Sequence, residues 1–340
     1  MHRLTKGKLI FLAFLIVASM LIITRHSENR YIENQGNVFG TTYHITYSYT
    51  RDLQQAIDQR LGEVDASLSA FNKRSTISAI NSGRSLRTDS MFRSVFRLAE
   101  TVSANTYGAF DITVAPLVNA WGFGFQKQDS VTPAMIHQLL TTVGYRKVSL
   151  SPSGDVVKQN PHTQLDCSGI AKGYGCDQVA ALFDSLGIKN YLIEIGGEIV
   201  ARGKNKKNED WTIGVNTPRE DSVQVDNEIA AVLRLTDCGM ATSGNYRRFY
   251  YKNGRRFAHT IDPRTGYPVQ HSLLSSTVIA RNCATADAYA TAFMVLGVDS
   301  ARTVLARHPE LEVYFIYATP DGRYATWMSP ALRRRVVTQK

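Results

Sequence analysis

Cysteine is scarce in this chain: four residues in 340, at positions 167, 176, 238 and 283. No two of them have the CxxC spacing, so neither a zinc site nor a disulfide framework is supported. Buried free thiols are the simpler expectation. No cysteine precedes Cys167, which excludes a lipid-modified amino-terminal cysteine. Internal repeats and low-complexity tracts are also missing. So is a Walker A loop, since G-x-x-x-x-G-K-[ST] is unmatched around Lys172. Hydrophobic residues make up 44% and charged residues 20%, which argues against disorder. The length suffices for one large domain or two closely joined lobes.

Acids are absent from both ends, and this shapes the net charge of +10. Arg3, Lys6 and Lys8 supply three of those charges, and Arg333, Arg334, Arg335 and Lys340 supply four, leaving the body at +3. A body so nearly balanced does not point to nucleic acid. The amino end instead carries "LIFLAFLIVASMLII", fifteen uncharged residues from Leu9 to Ile23 behind the three basic ones. At 1.5 Å per residue a helix there covers roughly 23 Å, and snorkelling stems of Lys8 and Arg25 extend its reach. Ala18-Ser19-Met20 is a poor cleavage site, so residues 1–26 are expected to be an uncleaved anchor. The basic end would stay in the cytoplasm and the body outside it. A polar linker, 27–37, would lead into one domain over 38–340.

Within the domain, "VFGTTYHITYSY" alternates and reads as a strand. Leu53, Ile57, Leu61 and Val64 mark a helix over Asp52 to Val64, and a second is expected over Met91 to Ser103. Thr132 and Pro133 open another, with Gly144 near its stop. From Tyr174 a helix runs towards Gly187, followed by a strand "NYLIEI", a bend at Gly196-Gly197 and a continuation "EIVARG". Asn253-Gly254 and Asp321-Gly322 signal hairpins. A last helix covers Ala284 to Gly297, capped by Thr285. Strands and helices without a steady βαβ rhythm indicate an α+β fold: mixed, largely antiparallel sheets packed with helices.

Chemistry is concentrated in a few stretches. "DCSGIAKGYGCD" (Asp166 to Asp177) puts small residues and Lys172 ahead of a helix, where free N–H groups and a positive charge suit an anion. A solvated lysine on a glycine-rich connection fits the same residues equally well. "YGAFDIT" (Tyr107 to Thr113) offers small residues for a flat ring and Asp111 for a heterocycle edge, although aspartate often bonds locally. Thr242, Ser243, Asn245, His259 and Asp262 cluster in one hairpin-like region. The charged run from Arg247 to Arg256 is most simply an exposed hairpin. In "ATADAYAT", Asp287 and Thr291 stand i and i+4 on one helix face. Two oxygen donors so placed suit Mg²⁺ completed by phosphate oxygens, or else Asp287 merely complements the helix dipole.

The order of these motifs is more specific than any of them. The small-residue turn, D-x-S-G-x-x-K-G-Y, I-G-G-E, A-T-S-G-N-Y, H-x-I-D-P-x-T-G and A-D-A-x-A-T together resemble the ApbE-type flavin transferases, which attach FMN to proteins using FAD. The resemblance runs from about Phe39 to the carboxyl end. It implies flavin or cofactor contacts at Phe39, Phe71, Ala109, Phe110, Asp111, Lys172 and Ile261. It implies a metal held by Asp287, Thr291 and the backbone carbonyl of Gly169. The implied reaction is Mg²⁺-dependent: a threonine or serine hydroxyl of an acceptor flavoprotein attacks the FMN-side phosphorus of FAD, and AMP leaves. His259 or groups near Asp287 are candidates for the base. Two other readings stay open, an FAD pyrophosphatase releasing free FMN and a non-catalytic FAD carrier. The expected partners are membrane-bound or exported redox subunits. The expected location is the bacterial inner membrane, single-pass, with the catalytic domain on the periplasmic side.

Overall fold

The computed structural model describes residues 30–123, 131–218, 229–245, 249–252, 255–258, 260–321 and 323–339, and a few positions between 7 and 19. Most of the expected anchor therefore lies outside the described residues. Among those described, no helix is long and apolar enough to cross a membrane.

The order of elements begins with the hairpin β1 (Tyr31–Val38) and β2 (Thr41–Ser48), then α1 (Gln54–Leu68), α2 (Thr76–Asn81) and α3 (Ser90–Asn105). Next come α4 (Ala115–Ala120), α5 (Pro133–Leu140), β3 (Val148–Leu150), β4 (Val156–Lys158) and α6 (Ala171–Ser185). The strand-rich part holds β5 (Tyr191–Ile195), β6 (Glu198–Arg202), β7 (Trp211–Asn216), β8 (Ile229–Leu235), β9 (Cys238–Gly244), β10 (Phe249–Lys252) and β11 (Arg255–Ala258). Then follow β12 (Leu273–Ala280), α7 (Cys283–Leu305), β13 (Glu312–Ala318), β14 (Tyr324–Met328) and β15 (Val336–Gln339).

Eight strands form one sheet in the order β1-β2-β5-β6-β9-β12-β13-β14, every pair antiparallel. A three-stranded sheet, β15-β8-β7, forms a second layer. The period-2 alternation of strands explains the layering. On β6, Val200 faces the helices with Cys176 and Phe183, whereas Ile199 and Ala201 face the small sheet with Trp211, Val215 and Leu233. On β12, Val278 packs with Phe293 of α7 while Ile279 turns to the small sheet. The expected α+β class is what the chain adopts.

Several boundaries differ from expectation, each for a local reason. The alternating stretch from Val38 is broken at Phe39 and Gly40, both at positive φ (51° and 74°), as a two-residue hairpin turn with the right twist requires. Most of the polar segment read as a linker is strand β1, paired along its length with β2. Gly196 and Gly197 (φ 61° and 100°) reverse the chain, so β6 returns antiparallel to β5 and does not continue it. The Thr132 hydroxyl does cap α5 as expected, accepting from Met135 N–H. Helix α7 is capped by Asn282, which accepts from Thr285 N–H, and it breaks at Gly297 (φ 74°) before resuming. Strands β10 and β11 do pair, but Asn253 and Gly254 lie outside the described residues, as does Gly322.

Candidate active site

Helix α6 begins three residues earlier than its apolar pattern suggested, and the reason is packing against α7. A Cβ on Gly173 would lie 2.5 Å from the Cys283 carbonyl oxygen and 2.8 Å from Asp287 Cβ. Only glycine lets the two backbones approach so closely. Gly173 N–H donates to Asp287 Oδ2 at 3.0 Å. One turn further on, Asp177 accepts from Cys283 N–H and Ala284 N–H, both at 2.8 Å, and so satisfies two orphan amides at the start of α7. Burial pushes the Asp177 carboxyl up to about 6 despite those bonds. The two helix starts are thus fixed to each other by side chains from both.

The segment leading into α6 is fixed as well. Asn81 brackets Leu165, donating to its carbonyl and accepting from its N–H. Asp166 Oδ1 accepts from Ser168 N–H at 2.8 Å, shaping a tight turn that presents Gly169. A Cβ on Gly169 would sit 3.1 Å from Thr291 Oγ1 and 3.3 Å from the Phe110 ring. The expected free amides of this helix start are partly used: Gly173 N–H binds Asp287, and Ala171 N–H binds the Cys167 carbonyl at 2.8 Å.

Asn81 and the turn Asp166, Ser168 and Gly169 line one cavity of about 960 Å³, near the upper end of the usual range for small-molecule sites. Gly169, Lys172, Glu198, Asp287 and Thr291 stand on its wall, together with Phe71, Ala109, Phe110, Asp111 and Ile261. Ala109 and Phe110 are buried, Ile261 is fixed by a bridge to Pro268, and Phe71 is 75% exposed. Lys172 Nζ meets Glu198 Oε1 at 2.5 Å. Burial raises both the Glu198 and the Asp287 carboxyl, with Lys172 opposing the rise in each. For Lys172, burial works against its charge, but Asp287 and Glu198 outweigh it and hold the ammonium protonated. On β9, Ser243 Oγ lies 3.3 Å from Thr291 Oγ1, and Thr242 Oγ1 lies 2.9 Å from Thr277 Oγ1.

Other expected site residues are placed differently. Asp111 lines the cavity, yet its carboxylate already accepts from Thr113 N–H, Thr113 O–H and Tyr145 N–H. That is the local bonding aspartate favours. Phe39 lines a separate shallow depression with Asn37 and Thr41, and its ring fills the space over Gly175. Asp262 pairs with Arg264 at 2.7 Å. His259 lies outside the described residues. All four cysteines are buried and free.

The donor set answers whether magnesium fits here. A buried carboxylate, a hydroxyl and the backbone at Gly169 beside that hydroxyl line one cavity whose described lining holds no histidine or cysteine. Hard oxygen donors of this kind suit Mg²⁺.

A model of the ApbE family matches residues 39–315. The chain belongs to the ApbE family. Among its relatives, the FAD:protein FMN transferase of Haemophilus influenzae is 36% identical, with 98% of this chain and 99% of that protein aligned. That of Escherichia coli (strain K12) is 33% identical over 90% and 89%. The flavin transferase ApbE of Vibrio cholerae has a similar structure, with a TM-score of 0.80 at 33% identity, covering 90% of this chain and 99% of that one. The Pseudomonas stutzeri flavinyl transferase ApbE, in its apo form, gives 0.81 at 28% identity, covering 92% and 98%.

In this ApbE-family chain two acids, Glu198 of the I-G-G-E motif on the cavity wall and Asp177 behind it, have no role assigned from the sequence. Glu198 had a usable signal: an acid beside the buried run Ile199 to Ala201 must find a partner. Asp177 had none, since an aspartate in a helix is unremarkable until the amides it caps are known.

Proposed function

We propose that this protein transfers FMN from FAD to a threonine or serine hydroxyl of an acceptor flavoprotein and releases AMP. Its family makes it an enzyme of the flavin-transferase kind, and the relatives' names supply the donor and the class of acceptor. The observation that carries the reading is that Lys172, Asp287, Thr291 and Gly169 line one dinucleotide-sized cavity, with Gly169 against Thr291 and Lys172 held by the charges of Asp287 and Glu198. The apolar residues Phe71, Ala109, Phe110 and Ile261 line the same space and suit a flavin ring.

Asp287, Thr291 and the Gly169 carbonyl would hold Mg²⁺, which when bound neutralises charge on the pyrophosphate. Lys172 supplies a second positive charge for the phosphates. Phosphoryl transfer asks little covalent chemistry of a protein, so these groups work by orienting the substrate and the incoming hydroxyl. Asp177 and Gly173 keep the two helix starts in register while this happens.

The test is direct. Purified protein is incubated with FAD, Mg²⁺ and a candidate acceptor, and the acceptor is weighed by mass spectrometry. Gain of an FMN mass supports the transferase. Free FMN with an unmodified acceptor supports a pyrophosphatase, and FAD bound without AMP release supports a carrier.

An inner-membrane location with the domain on the periplasmic side belongs to the same proposal. Its support is the basic and apolar amino end, where the described residues Phe11, Phe14, Ile16 and Val17 are helical and at least half exposed. Redox subunits at that membrane are the proposed acceptors. Fractionation of cells expressing the full chain tests it, a soluble protein being the contrary result.

A further inference from the structure

Glu198 opens β6 and is 2% exposed, followed by the buried residues Ile199, Val200 and Ala201. Its Oε1 meets the Lys172 ammonium at 2.5 Å. Its Oε2 is buried with no hydrogen-bond partner among the described residues. A half-satisfied buried carboxylate is a poor way to stabilise a fold, because apolar residues of similar volume generally do as well or better. The lysine it holds is also cradled from another side. A Cβ on Gly196 would lie 3.4 Å from Lys172 Cδ and 2.8 Å from Thr41, so the turn between β5 and β6 closes around the lysine stem. That turn is braced in its own right: Glu194 Oε1 accepts from Gly197 N–H at 2.6 Å. The start of β6 is tied back to α6, since Cys176 Sγ donates to the Glu198 carbonyl at 3.3 Å.

We infer that Glu198 is a positioning residue for the transfer reaction, holding the Lys172 ammonium in one pose on the cavity wall so that it meets the FAD pyrophosphate beside Asp287 and Thr291. The inference rests on the proposed function, since it takes the cavity's substrate to be FAD. A free lysine side chain samples many rotamers, and fixing it in advance removes that ordering step from substrate binding. Glu198 acts only through the lysine. Its removal should therefore matter only while the lysine is present.

A double-mutant cycle on the full-length protein tests this, using wild type, Glu198→Gln, Lys172→Gln and the double variant. Flavin transfer is followed with FAD varied, FAD affinity by flavin fluorescence, and folding by thermal melts. Glu198→Gln is expected to lower kcat/KM for FAD on the order of 10–100-fold, as supporting partners of site residues typically do. In the Lys172→Gln background the same change is expected to cost less than about threefold. Glu198→Asp, which keeps the charge and shortens its reach, should fall between wild type and Glu198→Gln in a protein that melts normally. Losses that multiply in the double variant would mean that Glu198 acts on its own, and would overturn the inference. So would wild-type kinetics in Glu198→Gln. If wild type itself neither binds FAD nor transfers FMN, the proposed function fails and the inference falls with it.

Discussion

The backbone amide of Gly173 donates to the carboxylate of Asp287 across the crossing of α6 and α7, at 3.0 Å. One glycine thus fixes both the spacing of two helices and the orientation of the acid proposed to hold the metal. Gly173→Ala would press a methyl group against the Cys283 carbonyl at 2.5 Å, and that backbone cannot yield locally. The expected results are a stability loss of about 1–3 kcal/mol and a drop in transfer on the order of 10²-fold from misplacement. Gly62→Ala on α1, where nothing lies within 4 Å of the new methyl, should leave activity unchanged and stabilise by roughly 0.4–1 kcal/mol. Urea melts and initial rates on the two variants make the comparison.

Asp287→Ala and Thr291→Ala each remove one oxygen donor from the proposed metal end. Both are expected to abolish or strongly impair transfer in Mg²⁺ while keeping the circular dichroism spectrum of the wild type. Wild-type turnover by Asp287→Ala would refute the metal assignment.

Asp89, which is not on the cavity lining, predicts a pH effect on stability. Burial raises its carboxyl, but bonds from Thr76, Phe92 N–H and Ser67 outweigh this and hold it below its ordinary range near 4. A depressed carboxyl stabilises the fold fully above its unfolded value and loses that contribution as pH falls through its folded value. Asp89 also caps α3. Asp89→Ala should therefore cost about 1–3 kcal/mol at neutral pH, and the gap from wild type should shrink below about pH 4. Denaturant melts at pH 7 and pH 3 measure that difference, and a gap independent of pH would contradict it.

Phe71 is a large ring left 75% exposed on the cavity lining. A flavin bound in this cavity would cover it. Phe71→Ala is expected to weaken FAD binding by about tenfold, the worth of one aromatic contact, with no loss of thermal stability. Equal FAD affinity in the variant would remove the ring from the binding site.

How much of this was legible in the sequence depends on where each residue finds its partner. Asp287 and Thr291 could be paired on paper because helix geometry alone sets i and i+4 side by side. The Thr132 cap and the bend at glycines 196 and 197 were readable for the same reason, since their physics is local, whereas the return of β6 against β5 was not. Glu198 and Lys172 stand 26 positions apart in sequence, and Asp177 and Cys283 stand 106 apart. Nothing short of the folded sheet and the helix crossing brings them together. Phe39 shows the converse error: a strand pattern ran straight through a residue that the fold uses as a hairpin corner.

On the proposed function, FAD lies in this cavity with its pyrophosphate between Lys172 and the Asp287–Thr291 pair. A crystal structure with FAD and Mn²⁺, the ion identified by its anomalous signal, tests it most directly. One ion touching Asp287, Thr291 and the phosphates is expected, with the flavin against Phe110. Phosphates bound away from α7, or an ion seated elsewhere, would contradict it.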